Sequence, residues 1–212
     1  MKYDPHKPHR RSIRLKGYDY TQAGAYFVTI CTWQRECLLG EVINGEMQLS
    51  RYGETVQFNW NILPKRYPNV ELDAFIVMPN HVHGIILLDA SGLEGTGLER
   101  LSADASKFSG KPAPTPSKLY GLPEIVRGLK TFSARRINQI RGKSGVAVWQ
   151  RGYYERIIRD EESLIAIREY IIKNPLCWEK DKLYANHLNK GNESSPLVFE
   201  SNGKYYTQVI VM

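Results

Sequence analysis

The stretch Val70–Leu88, VELDAFIVMPNHVHGIILL, constrains this chain more than any other. Two runs rich in Val, Ile, Leu and Phe flank Met78-Pro79-Asn80, and they read either as a strand pair or as one long strand bent at the proline. The second run nevertheless carries His81 and His83. Side chains two apart on a strand point to one face, so the two imidazoles project together while Val82 points the other way. Each imidazole has a donor and an acceptor to satisfy, which makes the pair poor core material. Two readings stay open on these residues alone. Either one histidine is hydrogen-bonded in the core and the other lines a surface, or the pair holds a metal ion with most of its coordination sphere left open.

The flanking chain reads as an α+β domain. Ala25–Trp33, AYFVTICTW, has strand composition, and CLLGEVINGEMQLS runs into an Asn44–Gly45 turn of the kind a type I′ hairpin favours. From Ser50, a plausible cap, Tyr52, Val56, Phe58, Trp60 and Leu63 recur at helical spacing until Pro64. Residues 89–121 are rich in Gly, Ser, Ala and Pro and read as a flexible insertion, because the pattern of elements resumes after them. Leu122–Lys143 is a helix whose polar positions hold Arg127, Lys130, Arg135, Arg136, Arg141 and Lys143 against the single acid Glu124. VAVWQRGYYERIIR reads as a strand segment, and DEESLIAIREYIIKNP as a helix with Asp160 as a candidate cap and Pro175 after its end. The order β-β-α-β-β-insertion-α-β-α suits an antiparallel sheet with its main helices on one face. The domain is expected over 18–185, after a basic N-terminal arm (1–17) and before a polar tail (186–212) that ends in a possible late strand.

Charge narrows the partners. The chain has 29 Lys and Arg against 22 Asp and Glu, a formal charge of +7. Such a balance suits a polyanion, whose counterions are released on binding. The arm carries Arg10 and Arg11 among six cations with one acid, Asp4, and is either a solvated tail or a segment that tracks phosphates. Three cysteines without CxxC spacing indicate neither a disulfide framework nor a cysteine zinc site. No signal peptide is expected from the start, no apolar run approaches the roughly 18 residues that span a bilayer, and a cytoplasmic location is expected. Neither a Walker A motif nor a GxGxxG fingerprint occurs, so nothing suggests a nucleotide cofactor.

The last helix supplies partners for the histidines. Tyr170 and Asn174 are four residues apart, about 40° on a helix, and flank an apolar stripe of Leu164, Ile165, Ile171 and Ile172. Taken singly, Tyr170 is a packing tyrosine and Asn174 a helix-end residue. Taken together, MPNH with His81-Val82-His83, then WQRGYYERIIRD, then EYIIKNP resembles the single-tyrosine HUH transposases of the IS200 type, and in particular the REP-associated tyrosine transposases. The resemblance covers roughly 11–183 apart from the insertion. It implies an RRM-like (ferredoxin-like) antiparallel sheet, His81, His83 and Asn174 as metal ligands for Mg2+ or Mn2+, and Tyr170 as the nucleophile. One departure is Arg156, where many relatives have a histidine after the Glu of the YYE segment.

By the same resemblance the substrate is single-stranded or hairpin DNA, cleaved and rejoined through a 5′-phosphotyrosine link. Arg127, Lys130, Arg135, Arg136 and the arm's Arg10 and Arg11 are the expected DNA contacts. Tyr153 and Tyr154 are expected to pack. Relatives include dimers that exchange the catalytic helix as well as monomers, so a homodimer is among the partners it allows. Two competing readings make different demands. A non-catalytic RRM-like binding module does not need the two histidines, Tyr170 and Asn174 together. A metal-dependent hydrolase that activates water wants a carboxylate near the histidines, and Asp73 is the only acid close to them in sequence.

Overall fold

The structure is a computed structural model that describes residues 17–89 and 119–184, with the backbone of Leu197–Ser201 and Lys204–Gln208. The basic arm with Arg10 and Arg11, and most of the 89–121 insertion, lie outside the described residues.

Gly24–Cys31 (β1) is the hub of a four-stranded sheet. The hairpin Gly40–Ile43 (β2) and Glu46–Leu49 (β3) stands apart from it, followed by the helices Arg51–Asn61 (α1) and Leu63–Arg66 (α2). Val70–Met78 (β4) and His81–Leu88 (β5) are two strands joined by a tight turn at Pro79–Asn80, which settles the first alternative in favour of a pair. Leu122–Ile140 (α3), Tyr154–Ile158 (β6) and Glu161–Lys173 (α4) complete the unit. The sheet order is β4-β5-β1-β6 and every neighbouring pair is antiparallel. The fold is therefore α+β with an antiparallel sheet and packed helices, as the order of elements indicated.

Alternation along β1 and β5 builds two different faces. Tyr26, Val28 and Ile30, with Val82 and Ile86, meet Trp60 of α1 and Ile125, Leu129 and Ile137 of α3 in the main core. The intervening residues Phe27 and Ile85 point the other way, where Ile158 of β6 and Ile167 and Ile171 of α4 cover them. His81 and His83 share the phase of Ile85, so both lie on the α4 side. Gly84 marks the close approach on the first face. Trp60 stacks on Phe75 with centroids 4.2 Å apart, and a Cβ on Gly84 would run into the indole.

Local signals explain most boundaries. Ser50 Oγ accepts from the Tyr52 and Gly53 amides and Asp160 Oδ1 from that of Ser163, caps that contribute about 1 kcal/mol each. Asn44 and Gly45 both have positive φ, 53° and 78°, as the hairpin turn requires.

Two expectations need correction. The stripe on α4 is not Leu164, Ile165, Ile171 and Ile172: Ile167 and Ile171 are buried, whereas Ile165 and Ile172 are exposed, Ile172 by 70%. Tyr170 and Asn174 face the sheet, and the stripe runs through them by i, i+3, i+4, i+7 spacing. The strand over VAVWQRGYYERIIR is only Tyr154–Ile158, with a single bridge from Trp149 to Thr32 before it. Pro175 follows the end of α4 at Lys173, as expected, and sits at the second position of a 3-10 helix over Asn174–Lys180, where a missing N–H costs nothing. The late strand, Lys204–Gln208 (β8), pairs antiparallel with Leu197–Ser201 (β7).

Candidate active site

Four elements aim polar groups at one buried point on the α4 side of the sheet. His81 and His83 are fully buried on β5, and their Nε2 atoms stand 3.0 Å apart. The Nδ1 atoms are engaged elsewhere, that of His81 with Asn80 Oδ1 at 2.8 Å and that of His83 with Thr29 Oγ1 at 2.8 Å. Asn80 donates through Nδ2 to the carbonyls of Arg35 (3.2 Å) and Leu183 (2.7 Å), which leaves Oδ1 as the acceptor. His81 therefore carries its proton on Nδ1 and presents a lone pair on Nε2. The Thr29 hydroxyl can donate or accept, so it can serve either tautomer of His83.

Tyr170 comes down from α4 with its hydroxyl 3.1 Å from His83 Nε2. Its ring is held edge-on by Phe27 and by His83 itself, with centroids 6.2 and 5.1 Å away. Asn174, one turn further along, is buried, and its Oδ1 has no hydrogen-bond partner. Its amide acts on both Tyr170 and Asp181, so it sits between them.

Asp181 is the residue that sequence reasoning missed. Its Oδ2 lies 3.9 Å from His81 Nε2, and Oδ1 accepts from the Leu183 amide at 2.7 Å. With the two histidines it forms a group whose ligand atoms all lie within 4.8 Å of one another, able to hold a metal ion. Nothing periodic marks Asp181, which follows the 3-10 turn. Asn80 carried a fainter signal, since it directly precedes His81. Asp73, the nearest acid in sequence, is engaged elsewhere: Arg168 grips its carboxylate through Nε (3.0 and 3.1 Å) and Nη2 (2.6 Å).

Electrostatics at this point are one-sided. Burial holds both histidines neutral, pushing His81 well below its ordinary value and His83 to about 3. Burial, and then the Asp181 charge, raises the Tyr170 hydroxyl, while the Asn174 amide opposes them. Burial also raises Asp181 against the pull of the Leu183 and Asn174 hydrogen bonds. Burial opposes negative charge on Tyr170 and on Asp181, where the Arg35 charge offsets it in part, and keeps both imidazoles unprotonated. A divalent ion would answer both needs. The residues present fit one: two imidazole nitrogens, a carboxylate oxygen, and a buried amide oxygen that is otherwise an unexplained cost of roughly 1–3 kcal/mol. Cys31, across the β1–β5 ladder from His81, is buried, and burial lifts its thiol to about 12.

The expected DNA contacts lie on the other face, along α3. Arg127, Arg135 and Arg136 are exposed there; Arg127 pairs with Glu124 at 3.8 Å and Arg136 touches Gln139 at 3.4 Å. Lys130 differs. Its ammonium donates to the carbonyls of Gln150 (2.6 Å) and Gly152 (2.7 Å), and burial lowers its pKa to about 8. It ties α3 to the segment before β6. Tyr154 is half-buried edge-on to Phe27, and Tyr153 packs on the main core, so both are packing residues. Among the described residues, no helix is long and apolar enough to cross a membrane.

Comparison with known proteins places these observations in context. No family model matches the chain. Among solved structures, a REP-associated tyrosine transposase bound to a REP hairpin is 18% identical, with a TM-score of 0.49 over 80% of this chain and 78% of that one. A protein of Deinococcus radiodurans provisionally named a transposase is also 18% identical, with a TM-score of 0.41 over 76% of this chain and 96% of that one. An uncharacterized protein of Haemophilus influenzae is 43% identical over 188 residues, which are 87% of this chain and 98% of the relative. With that identity over nearly the whole relative, the chain belongs to the same family as the Haemophilus influenzae protein.

Proposed function

We propose that this protein is a transposase-like, metal-dependent single-strand DNA transesterase that cuts and rejoins DNA through a 5′-phosphotyrosine at Tyr170. One observation carries the reading: the Tyr170 hydroxyl stands 3.1 Å from the Nε2 of one of two histidines whose Nε2 atoms converge at 3.0 Å. A packing tyrosine does not need that neighbour. His81, His83 and Asn174 would hold the ion, with Asp181 able to join them.

The ion favoured is Mg2+ or Mn2+. Such hard ions suit phosphate oxygens and the carboxylate and amide oxygens of Asp181 and Asn174, and the two imidazoles tilt the preference towards Mn2+. When bound, such an ion neutralises charge on the non-bridging phosphate oxygens and stabilises a phenolate. The chain does the rest. α4 and Phe27 fix the tyrosine ring so that its oxygen can approach phosphorus in line with the leaving 3′ oxygen. The Tyr170 O–H and P–O3′ bonds break, a Tyr–O–P bond forms, and the proton ends on the released 3′ oxygen. The bond exchange keeps the phosphodiester energy, so rejoining runs the same steps backwards without ATP. Arg127, Arg135 and Arg136 supply phosphate contacts away from the cut.

Asp181 favours a second reading, a hydrolase whose carboxylate and histidines activate water. Incubation with labelled single-stranded hairpin DNA and Mn2+, read on a denaturing gel, separates the two. The transesterase gives a covalent protein–DNA band that Tyr170→Phe abolishes. Cutting without any adduct, retained in Tyr170→Phe, would establish the hydrolase instead.

A further inference from the structure

A strained turn beside the site carries a cation that the proposed mechanism leaves unused. After β1 the chain turns through Trp33–Arg35, where Gln34 and Arg35 adopt φ of 53° and 55° in succession. Left-handed backbone is costly for any residue but glycine, and two in a row form an outlier. The turn has one evident structural use. It aims the Arg35 carbonyl at Asn80 Nδ2, the amide whose Oδ1 holds the His81 ring. Glycine would present the same carbonyl more cheaply, so this clasp alone does not explain an arginine here. The Arg35 side chain is half-buried, and no carboxylate pairs with it at salt-bridge distance among the described residues. Its charge still reaches the site. Burial, then His83, then Arg35 hold His81 neutral, and at Asp181 the Arg35 charge is among the groups that oppose burial.

Tyr170 meets the imidazole pair from the His83 end, 3.1 Å from its Nε2, whereas Asp181 and the Arg35 turn lie towards the His81 end. In-line displacement sets the leaving oxygen opposite the attacking one. With phosphorus at the histidines, the departing 3′ oxygen falls towards His81, Asp181 and Arg35. The Asp181 carboxylate repels a developing oxyanion. The N–H donors of a guanidinium stabilise one, although that group gives up no proton of its own.

We propose that Arg35 is a catalytic residue of the cleavage step, donating hydrogen bonds to the leaving 3′ oxygen as the bond from Tyr170 to phosphorus forms. The P–O3′ bonding pair stays on that oxygen, which takes up the proton that Tyr170 loses. Arg35 stabilises the charge that builds in between and ends the step unchanged. The same contact holds the 3′-hydroxyl for rejoining. The inference rests on the tyrosine-nucleophile reading and adds to it the residue that faces the departing strand.

The test changes the leaving atom. The cut is first mapped on labelled hairpin DNA with the full chain and Mn2+, and sulfur then replaces the bridging 3′ oxygen at that linkage. A thiol is far more acidic than an alcohol, so a sulfur leaving group departs without a donor's help. On the oxygen substrate, Arg35→Ala should slow single-turnover adduct formation about 100-fold, the usual size for one lost oxyanion donor. On the sulfur substrate, the variant and wild type should react at nearly the same rate. Arg35→Lys should recover part of the oxygen rate. Fluorescence polarisation in the Tyr170→Phe background should find hairpin affinity little changed by Arg35→Ala, which separates this role from simple anchoring. Thermal unfolding should find the fold intact, because the clasp on Asn80 uses the Arg35 backbone. Arg35→Gln, read in the same way, serves if the alanine variant does not fold. Equal slowing on both substrates would overturn the inference and leave the tyrosine reading standing, and so would an unaltered rate on the oxygen substrate. A wild-type protein that forms no adduct would sink the tyrosine reading and this inference together.

Discussion

Removing the Tyr170 hydroxyl probes the chemistry with little disturbance to packing. Tyr170→Phe gives up the hydroxyl's hydrogen bonds with His83 Nε2 and the Asn174 amide, and keeps the ring contacts with Phe27 and His83. Stability should fall by about 1–3 kcal/mol, while adduct formation disappears on a denaturing gel. Asn80→Ala is the complementary change. It frees the His81 ring and strips the Leu183 carbonyl of its donor. Partners of this kind typically matter about 10–100-fold for metal affinity, so Mn2+ titration should show a loss of that order. Mn2+ binding as tight as wild type would show that Asn80 only braces the Leu183 segment. These two residues also mark how far the site was legible. His81, His83, Tyr170 and Asn174 sit on a strand and a helix, where periodicity predicts which side chains share a face, and the fold brings all four together. Asp181 sits on a non-periodic segment held by single hydrogen bonds, and no spacing rule reaches it.

At the scale of elements, α4 is held over the histidines by few contacts. Ile167 and Ile171 bury its inner face, and Arg168 clasps Asp73 on β4 through three short hydrogen bonds. Arg168→Met should loosen the helix, raising amide exchange over Glu161–Lys173 and lowering the adduct rate by more than overall stability falls. The exposed side of the pair keeps the stability cost small. Its pH dependence has a definite sign. The hydrogen bonds from Arg168 hold Asp73 below its ordinary value, so the folded state binds this proton less readily than the unfolded chain. The contribution is complete above the unfolded value of 3.8 and is lost as pH falls below it. Acid unfolding of Asp73→Asn should accordingly be less steep there than that of wild type; identical profiles would show that the pair does not hold α4. The face of α4 was the element feature least legible beforehand. Ile165 and Ile172 look as apolar as Ile167 and Ile171, and only the positions of Tyr170 and Asn174 against the sheet decide which stripe is buried. Caps and turns were plain, because Ser50, Asp160 and Asn44–Gly45 act through local hydrogen bonds and φ angles that need no tertiary partner.

For the whole molecule, the site joins parts of the chain that the sheet alone does not bind together. His81 and His83 belong to β5, Asn174 to the end of α4, and Asp181 to the segment that Asn80 clamps through Leu183. An ion held by these groups would bind only the folded chain, so it should stabilise the protein as a ligand does, by about 2.7 kcal/mol at a concentration one hundred times its dissociation constant. For a chain of this size, each kcal/mol moves the melting temperature by about 2–4 °C, which gives a rise of roughly 5–11 °C. Differential scanning calorimetry with and without Mn2+ measures it directly. His83→Ala should abolish the shift, because one ligand is lost outright. Asp181→Asn should reduce it only in part if His81, His83 and Asn174 carry the ion, but remove most of it if the carboxylate is an essential ligand. The second result would move the centre towards the water-activating reading, and a wild-type melting temperature indifferent to Mn2+ and Mg2+ would remove the metal from both. The shift is read without DNA or turnover, so it tests whether these four side chains form one ion site before any question of what that site cuts.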